Sequence, residues 1–166
     1  VSPTGAINSS IVQTIKLKIL RPFIEGMRQE KRPYSGILYL GGMLAKDGIK
    51  IIEFNARWGD PEAEVILPSI KSDYLEIVEA VLTKRLHKLR INFDNKVRIS
   101  LAGCSRGYPD DYSAAKGKEI FGLTEAMKLP GITSVGAGIT REKNRFFVTG
   151  GRGFHLMAEG KDIEDA

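Results

Sequence analysis

The chain has 166 residues, of which 42% are hydrophobic and 27% charged, and this is the composition of an ordinary globular protein. Its net charge of +5 suits anionic partners such as nucleotides, whereas the lack of interleaved basic and aromatic residues disfavours nucleic-acid binding. No apolar run is long enough to span a membrane and no signal peptide is evident, so we expect a cytoplasmic protein without a membrane partner.

Two residues that often carry chemistry have structural interpretations here. Cys104 is the one cysteine, which excludes an internal disulfide. Its apolar neighbours predict a buried structural thiol, and no general base adjoins it in sequence. His87 lies in a basic run without a partner at metal-ligand spacing, which predicts a solvent-facing side chain.

The first segment predicts a helix that Ser9 or Ser10 can cap. Pro22 lies inside the helical pattern and predicts an end or a kink there, because it lacks an N–H and crowds the preceding turn. A basic run at residues 28–33 then predicts a surface loop. The apolar residues recur every four positions and predict a core-facing stripe: Ile11, Ile15, Ile19, Phe23 and Met27.

A β-hairpin is predicted next, because Asp47-Gly48 separates two strand-like runs at residues 34–44 and 49–55. Three glycines in the first run mark positions where a ligand or another backbone can come close. No glycine-rich loop followed by a lysine and a helix start is present, so the pattern does not imply a phosphate cradle.

The second strand of this hairpin carries the main candidates for chemistry. Alternation places Glu53, Asn55 and Arg57 on one face if the strand persists that far, and Ile52 and Phe54 on the other face, in the core. A carboxylate and an amide oxygen suit a hard cation such as Mg²⁺, and a guanidinium suits phosphate or carboxylate. Phosphoryl transfer needs this combination, although a solvated polar strand face would have the same pattern.

Two helices are predicted after the hairpin. Asp60 can cap the first, Pro61 fits its first position and Glu62 complements its dipole, so capping alone could explain these residues. Pro68 ends this helix after about two turns, and Ser72 can cap the second. The second helix has a predicted buried side formed by Tyr74, Leu75, Val78, Val81 and Leu82.

From about residue 92 short strands dominate, so we expect two domains, at residues 1–91 and 92–166. Residues 124–128 predict one helical turn, and a helix start is predicted from Asp162. The strands are predicted at residues 97–104, 132–139, 146–149 and 154–158.

The run Asn55-Ala56-Arg57-Trp58-Gly59-Asp60-Pro61-Glu62-Ala63-Glu64-Val65 resembles the signature of the phosphoribosylamine–glycine ligases, ATP-grasp enzymes of purine biosynthesis. Trp58 departs mildly, since the family usually has Phe or Leu there. The resemblance continues along the chain in Ser2-Pro3, Tyr34-Ser35-Gly36-Ile37-Leu38-Tyr39, Pro68, Lys71-Ser72-Asp73, Gly107-Tyr108-Pro109, Tyr112, Lys116-Gly117, Ala137-Gly138 and Gly150-Gly151-Arg152. Arg106, Gly136 and Gly153 depart from the family pattern of the C-terminal domain.

The resemblance implies an α+β fold. Residues 1–91 would be the second half of an ATP-grasp domain, mainly antiparallel sheet with helices, and residues 92–166 a small β-rich C-terminal domain. The family also has an N-terminal half that helps to bind phosphoribosylamine and nucleotide. We expect that half to be missing here and this chain to be inactive alone.

By this resemblance, the enzyme would ligate glycine to 5-phosphoribosylamine with ATP, through glycyl phosphate, giving glycinamide ribonucleotide. Glu53 and Asn55 would bind Mg²⁺ or Mn²⁺ that bridges the ATP phosphates. Arg57 would hold the transferring phosphate or the glycine carboxylate. Many wider ATP-grasp relatives have another acidic ligand on the preceding strand, where Tyr39 stands here, so water or substrate oxygens would complete the ion's shell.

The turn that follows, Gly59-Asp60-Pro61-Glu62, would position the small substrate, and Asp60 could instead face the glycine ammonium group. Two alternatives stay open. One is an ATP-grasp ligase or carboxylase with another substrate. The other is a non-catalytic nucleotide- or nucleic-acid-binding module.

Overall fold

The computed structural model describes all residues from Val1 to Ala166. The helices are α1 (Ser9–Ile15), α2 (Arg21–Gln29), α3 (Glu62–Ile66), α4 (Tyr74–Leu82) and α5 (Leu123–Ala126). The strands are β1 (Tyr39–Ala45), β2 (Gly48–Asn55), β3 (Val97–Cys104), β4 (Glu119–Ile120), β5 (Ile132–Gly136), β6 (Ile139–Glu142), β7 (Arg145–Val148) and β8 (Arg152–Gly160). None of the helices is both long and apolar enough to cross a membrane.

The chain divides into two compact units, which are described separately. The hairpin unit comprises Thr4–Gly59 and Ile70–Phe93. The sheet unit comprises Val1–Pro3, Asp60–Ser69 and Asp94–Ala166. The α+β fold class expected from the sequence is confirmed, whereas the domain division expected from it stays a prediction.

In the hairpin unit, one helical stretch runs from α1 to α2. Its N-cap is Asn8, whose side chain accepts a hydrogen bond from the Ile11 backbone, so the predicted caps Ser9 and Ser10 are wrong. Pro22 lies in the first turn of α2, directly after a π-helical turn at Lys16–Leu20. The wider turn accommodates the residue without an N–H, so the helix continues where an end or kink was predicted.

The apolar stripe of this helix faces the interior, as its four-residue spacing predicts. Ile19 is buried, and the other four members of the stripe are half-buried. Phe23 lies on this stripe and contacts Phe54 of β2, with 4.9 Å between the ring centroids. The helix therefore covers one face of the hairpin with apolar side chains.

The predicted hairpin is present, although β1 begins at Tyr39, later than expected. β1 and β2 pair antiparallel, with Ala45 opposite Gly48 across a two-residue turn. A β-bulge interrupts the register: Gly41 pairs with Glu53 and Gly42 with Ile51, which leaves Ile52 as the extra residue. Ile52 is consequently 66% exposed, and its predicted place in the core is wrong.

The second predicted helix of this unit, α4, has a different cap and a different buried face. Asp73 caps it by accepting hydrogen bonds from the Leu75 and Glu76 backbones, whereas the Ser72 hydroxyl accepts one from the Asn92 backbone. The residues buried on α4 are Ile77 and Ala80. The predicted buried side is wrong for most of its members, because Tyr74, Leu75, Val78 and Leu82 are exposed.

The sheet unit contains two antiparallel three-stranded sheets, ordered β3-β8-β5 and β4-β7-β6. β8 is the central strand of the first sheet, and α3 packs against β3 and β8. The predicted strand at residues 132–139 is divided between β5 and β6, and the short β4 was not predicted. The predicted helix from Asp162 is a turn.

Cys104 ends β3, which is an edge strand of the first sheet, and the side chain is exposed. The predicted buried thiol is therefore wrong, because an apolar strand at a sheet edge does not cover its last residue. The predicted exposure of His87, in the hairpin unit, is confirmed.

A polar network closes one end of the first sheet. Arg98 is 4% exposed and donates two hydrogen bonds to Asp94 and one to Glu159, all of 2.8 Å. These bonds satisfy a buried guanidinium, and the pKa of Arg98 is raised mainly by its bond to Asp94. A hydrogen bond from Lys96, with the nearby charges of Lys96 and Arg98, lowers the pKa of the Glu159 carboxyl.

Candidate functional site

Glu53 and Asn55 lie at the end of β2, in the hairpin unit, with their side chains together as alternation predicts. Asn55 Nδ2 donates to Glu53 Oε1 over 2.9 Å, and the Glu53 side chain is exposed. With its nitrogen engaged in this way, Asn55 can present its amide oxygen beside the carboxylate. These donors fit a hard divalent cation, which prefers carboxylate and carbonyl oxygen.

The strand opposite Glu53 leaves room for this carboxylate. Gly41 pairs with Glu53, and a Cβ atom on Gly41 would lie 3.0 Å from Glu53 Cγ. Any side chain at this position would therefore press on the Glu53 side chain. Gly41 is thus a position of close approach, and the group that comes close is the side chain of the candidate metal ligand Glu53.

Arg57 does not share the face of Glu53 through strand geometry, because β2 ends at Asn55. The Arg57 side chain is exposed, and its Nη1 donates to the carbonyl oxygen of its neighbour Trp58 over 2.7 Å. In this conformation the guanidinium contacts the backbone of the next residue. It keeps further N–H groups that can bind an anion.

The next predicted residues belong to the sheet unit, where α3 begins at Glu62. Pro61 is its N-cap residue, and no side chain caps it, so the predicted cap by Asp60 is wrong. Asp60 instead pairs with Arg152, at 3.1 Å between Oδ2 and Nη2. Arg152 also donates from Nη1 to the Asp60 backbone oxygen over 2.7 Å. Both contacts hold Asp60 beside β8.

A histidine that sequence reasoning missed lies on the other side of the Asp60 carboxylate. His155 Nε2 is 3.5 Å from Asp60 Oδ1, and the histidine is 1% exposed. The available signal was the alternation along β8, which buries Gly153, His155 and Met157. A histidine at an inward position of an alternating strand needs a partner, and the sequence does not say which one.

The predicted site residues therefore fall into two groups. Glu53 and Asn55 form a hydrogen-bonded pair in the hairpin unit, which also contains Arg57 and a buried Gly59. Asp60, Pro61 and Glu62 belong to the sheet unit, where Asp60 has partners on β8.

The comparisons first define a class. Residues 1–63 match the family model of the phosphoribosylglycinamide synthetase ATP-grasp (A) domain. The crystal structure of N5-carboxyaminoimidazole ribonucleotide synthetase from Thermotoga maritima has a similar fold, with a TM-score of 0.51 and 18% identity over 98% of this chain and 40% of that one. Residues 1–63 are therefore similar to an ATP-grasp domain.

Along its whole length the chain is similar to phosphoribosylamine–glycine ligases, as its motifs predict. It is 37% identical over 100% of its length to phosphoribosylamine--glycine ligase of Caldanaerobacter subterraneus subsp. tengcongensis, of which it covers 39%. It is 40% identical over 99% of its length to the Homo sapiens trifunctional purine biosynthetic protein adenosine-3, of which it covers 16%.

A solved structure supports the same relationship. The crystal structure of phosphoribosylamine--glycine ligase from Thermotoga maritima superposes with a TM-score of 0.69 and 29% identity, over 96% of this chain and 38% of that one. The chain thus spans about two fifths of the length of the single-function ligases that it matches.

Proposed function

We propose that this chain forms part of an enzyme that uses ATP to ligate glycine to 5-phosphoribosylamine, giving glycinamide ribonucleotide through glycyl phosphate. Its relationship to phosphoribosylamine–glycine ligases over its whole length carries this proposal. Because the chain spans 39% of the bacterial relative, the rest of the active site would come from the remaining part of the enzyme.

Glu53 and Asn55 are the proposed ligands for Mg²⁺ or Mn²⁺. The support is their hydrogen-bonded pairing at the end of β2, the exposure of the carboxylate and the glycine opposite it. A bound divalent ion would neutralise negative charge on the ATP phosphates. The hydrogen bond from Asn55 orients Glu53, so the pair would be preorganised before the ion arrives.

Arg57 is the proposed anion-binding group, for the transferring phosphate or the glycine carboxylate. Its one described contact is with the Trp58 carbonyl, which a charged ligand can outcompete because charge-assisted hydrogen bonds are stronger. Its guanidinium would stabilise negative charge as the phosphoryl group moves, without covalent chemistry by the protein.

Gly59, Asp60, Pro61 and Glu62 are the proposed substrate-positioning residues. Their function would be to fix the small carboxylic acid in line for attack by the amine, which lowers the entropic part of the barrier. The support for Asp60 is that Arg152 holds both its backbone oxygen and one carboxylate oxygen, which fixes its orientation.

The test is Glu53→Gln in the complete ligase of which this chain would form part. Because the substitution removes one charged ligand and keeps the shape, turnover should fall by about a hundredfold or more, and the divalent-ion concentration needed for half-maximal rate should rise. The assay measures glycine- and phosphoribosylamine-dependent release of phosphate from ATP at several ion concentrations.

Glu30→Gln is the matched control, because Glu30 is an exposed glutamate at the end of α2 in the same unit. Its turnover and ion dependence should equal those of the unmodified enzyme. Unchanged turnover and ion dependence in Glu53→Gln would refute the metal assignment. Phosphate release that needs an acid other than glycine would refute the substrate assignment.

A further inference from the structure

Three potential ligand groups converge where α3 meets β8 in the sheet unit. Asp60, Glu64 and His155 each offer one ligand atom, and these atoms all lie within 4.8 Å of one another. We name these three residues the Asp–Glu–His cluster. Glu64 and His155 have no part in the site proposed above, whereas Asp60 is also one of its substrate-positioning residues.

The histidine of this cluster is buried and lacks a hydrogen-bond partner. Its imidazole is 1% exposed, and neither Nδ1 nor Nε2 makes a hydrogen bond. Glu64 Oε2 is buried without a hydrogen-bond partner as well. Buried polar groups without hydrogen-bond partners are costly, so several of them close to one another indicate that a ligand binds between them.

The spacing suits a metal ion. Tetrahedral coordination with bonds of about 2.0–2.2 Å places ligand atoms about 3.4 Å apart. His155 Nε2 and Asp60 Oδ1 are already 3.5 Å apart and make no hydrogen bond. The Asp60 side chain is 46% exposed, which leaves a route by which an ion can enter.

Arg152 supplies the outer support that metal-binding carboxylates usually have. It pairs with Asp60 Oδ2 and donates to the Asp60 backbone oxygen, which leaves Oδ1 toward the histidine. This arrangement fixes the carboxylate without occupying the oxygen that faces the cluster, as second-shell groups do in metal sites.

We propose that the Asp–Glu–His cluster is a binding site for a divalent transition-metal ion of the zinc type. One imidazole nitrogen with two carboxylate oxygens favours Zn²⁺ or Co²⁺, whereas Mg²⁺ prefers oxygen alone. Three protein ligands leave a fourth position for water. The ion would tie the start of α3 to β8.

The experiment measures binding of Co²⁺ and Zn²⁺ to the full 166-residue chain. A Cys104→Ser background is used throughout, because the exposed Cys104 thiol can itself bind these ions. We expect one Co²⁺ per chain, with visible d–d absorption of a four- or five-coordinate site, and displacement of Co²⁺ by Zn²⁺. A hundredfold excess of Mg²⁺ should not displace it.

The variants identify the ligands. His155→Leu should abolish the absorption, and Glu64→Gln, which keeps the side-chain shape, should weaken Co²⁺ binding by at least tenfold. His87→Leu is the matched control, because His87 is the other histidine of the chain and is exposed. It should bind Co²⁺ as the background does. Circular dichroism verifies that each variant is folded.

The opposite results are equally clear. Absence of stoichiometric Co²⁺ and Zn²⁺ binding in the folded background would overturn the proposal and leave an electrostatic histidine–carboxylate contact. Binding that survives both Glu64→Gln and His155→Leu, or that is lost in His87→Leu, would place the ion elsewhere and overturn it too. If His155→Leu does not fold, Glu64→Gln decides the outcome.

Discussion

The end of β2 and the start of α3 offer two different kinds of ligand group. At the end of β2, Glu53 is exposed and its carboxylate already receives a hydrogen bond from Asn55. At the start of α3, the Asp–Glu–His cluster contains a buried imidazole and a buried carboxylate oxygen without partners. The first group is complete without a ligand, whereas the second is not.

The two candidate metal sites are therefore supported by different kinds of evidence. An exposed, satisfied pair is stable whether or not an ion binds, so its assignment depends on the relationship to the ligases. A buried imidazole and a buried carboxylate oxygen without hydrogen bonds are costly without a ligand, so the assignment of the Asp–Glu–His cluster depends on local physics alone. The metal assignment of Glu53 and Asn55 and that of the Asp–Glu–His cluster can therefore fail independently of each other.

The largest expected effects separate the two sites from each other. Glu53→Gln should reduce turnover of the complete ligase about a hundredfold and leave stoichiometric Co²⁺ binding by the chain unchanged. His155→Leu should abolish the absorption of bound Co²⁺. If Glu53→Gln removed the Co²⁺ absorption, the Glu53–Asn55 pair and the Asp–Glu–His cluster would not be separate metal sites.

A large effect on stability is expected at the buried polar group that does have its partners. Asp94→Asn removes the carboxylate that accepts two hydrogen bonds from the buried Arg98, so it should lower the free energy of unfolding by about 3–5 kcal/mol. Urea denaturation of the chain measures it.

Asp47→Asn is the control for that prediction, because its ion pair with Lys50 is exposed on the hairpin turn. It should change the free energy of unfolding by less than about 1 kcal/mol. Equal effects at the buried and exposed pairs would show that burial does not decide the value of polar contacts in this chain.

A smaller effect concerns acid. The pKa of Glu159 is lower in the folded state than its ordinary value, because Lys96 donates a hydrogen bond to it and Lys96 and Arg98 are close. A depressed carboxyl pKa contributes stability that is present above the ordinary pKa of about 4.3 and is lost as pH falls through the folded-state pKa.

Stability should therefore fall between about pH 5 and pH 3, and Glu159→Gln should be less stable at neutral pH and less sensitive to this fall. Urea midpoints across that range measure the slope. An identical slope in Glu159→Gln would show that other carboxylates account for the acid sensitivity.

The smallest expected effect concerns the glycine opposite Glu53. Gly41→Ala places a Cβ atom 3.0 Å from Glu53 Cγ, so Glu53 must shift by a few tenths of an ångström. We expect a several-fold rise in the divalent-ion concentration needed by the complete ligase. Gly5→Ala is the control, since nothing lies within 4 Å of the Cβ position there.

The hairpin and β3 were predictable because their signals are local. Asp47-Gly48 between two apolar runs, and the continuous pattern of Val97–Cys104, need no information from elsewhere in the chain. The pairing of Glu53 with Asn55 follows from strand alternation alone.

The wrong predictions concern residues whose burial or partners depend on distant parts of the chain. One bulge in β2 moved Ile52 out of the core. Asp60 has the sequence of a helix cap, yet Arg152 and His155, far away in sequence, take its carboxylate instead. Likewise α4 carries apolar residues on several faces, and packing selected Ile77 and Ala80.

The exposed Cys104, at the edge of the first sheet, is a suitable position for a spectroscopic label. A maleimide dye would attach at this position alone, because the chain has a single thiol and that thiol is exposed. Cys104 pairs in register with Arg152, on the strand that also carries His155, and neighbouring strands are about 4.8 Å apart. Co²⁺ bound at the Asp–Glu–His cluster would therefore quench the fluorescence of a dye at Cys104. The fluorescence of the labelled chain would then report the binding of this ion.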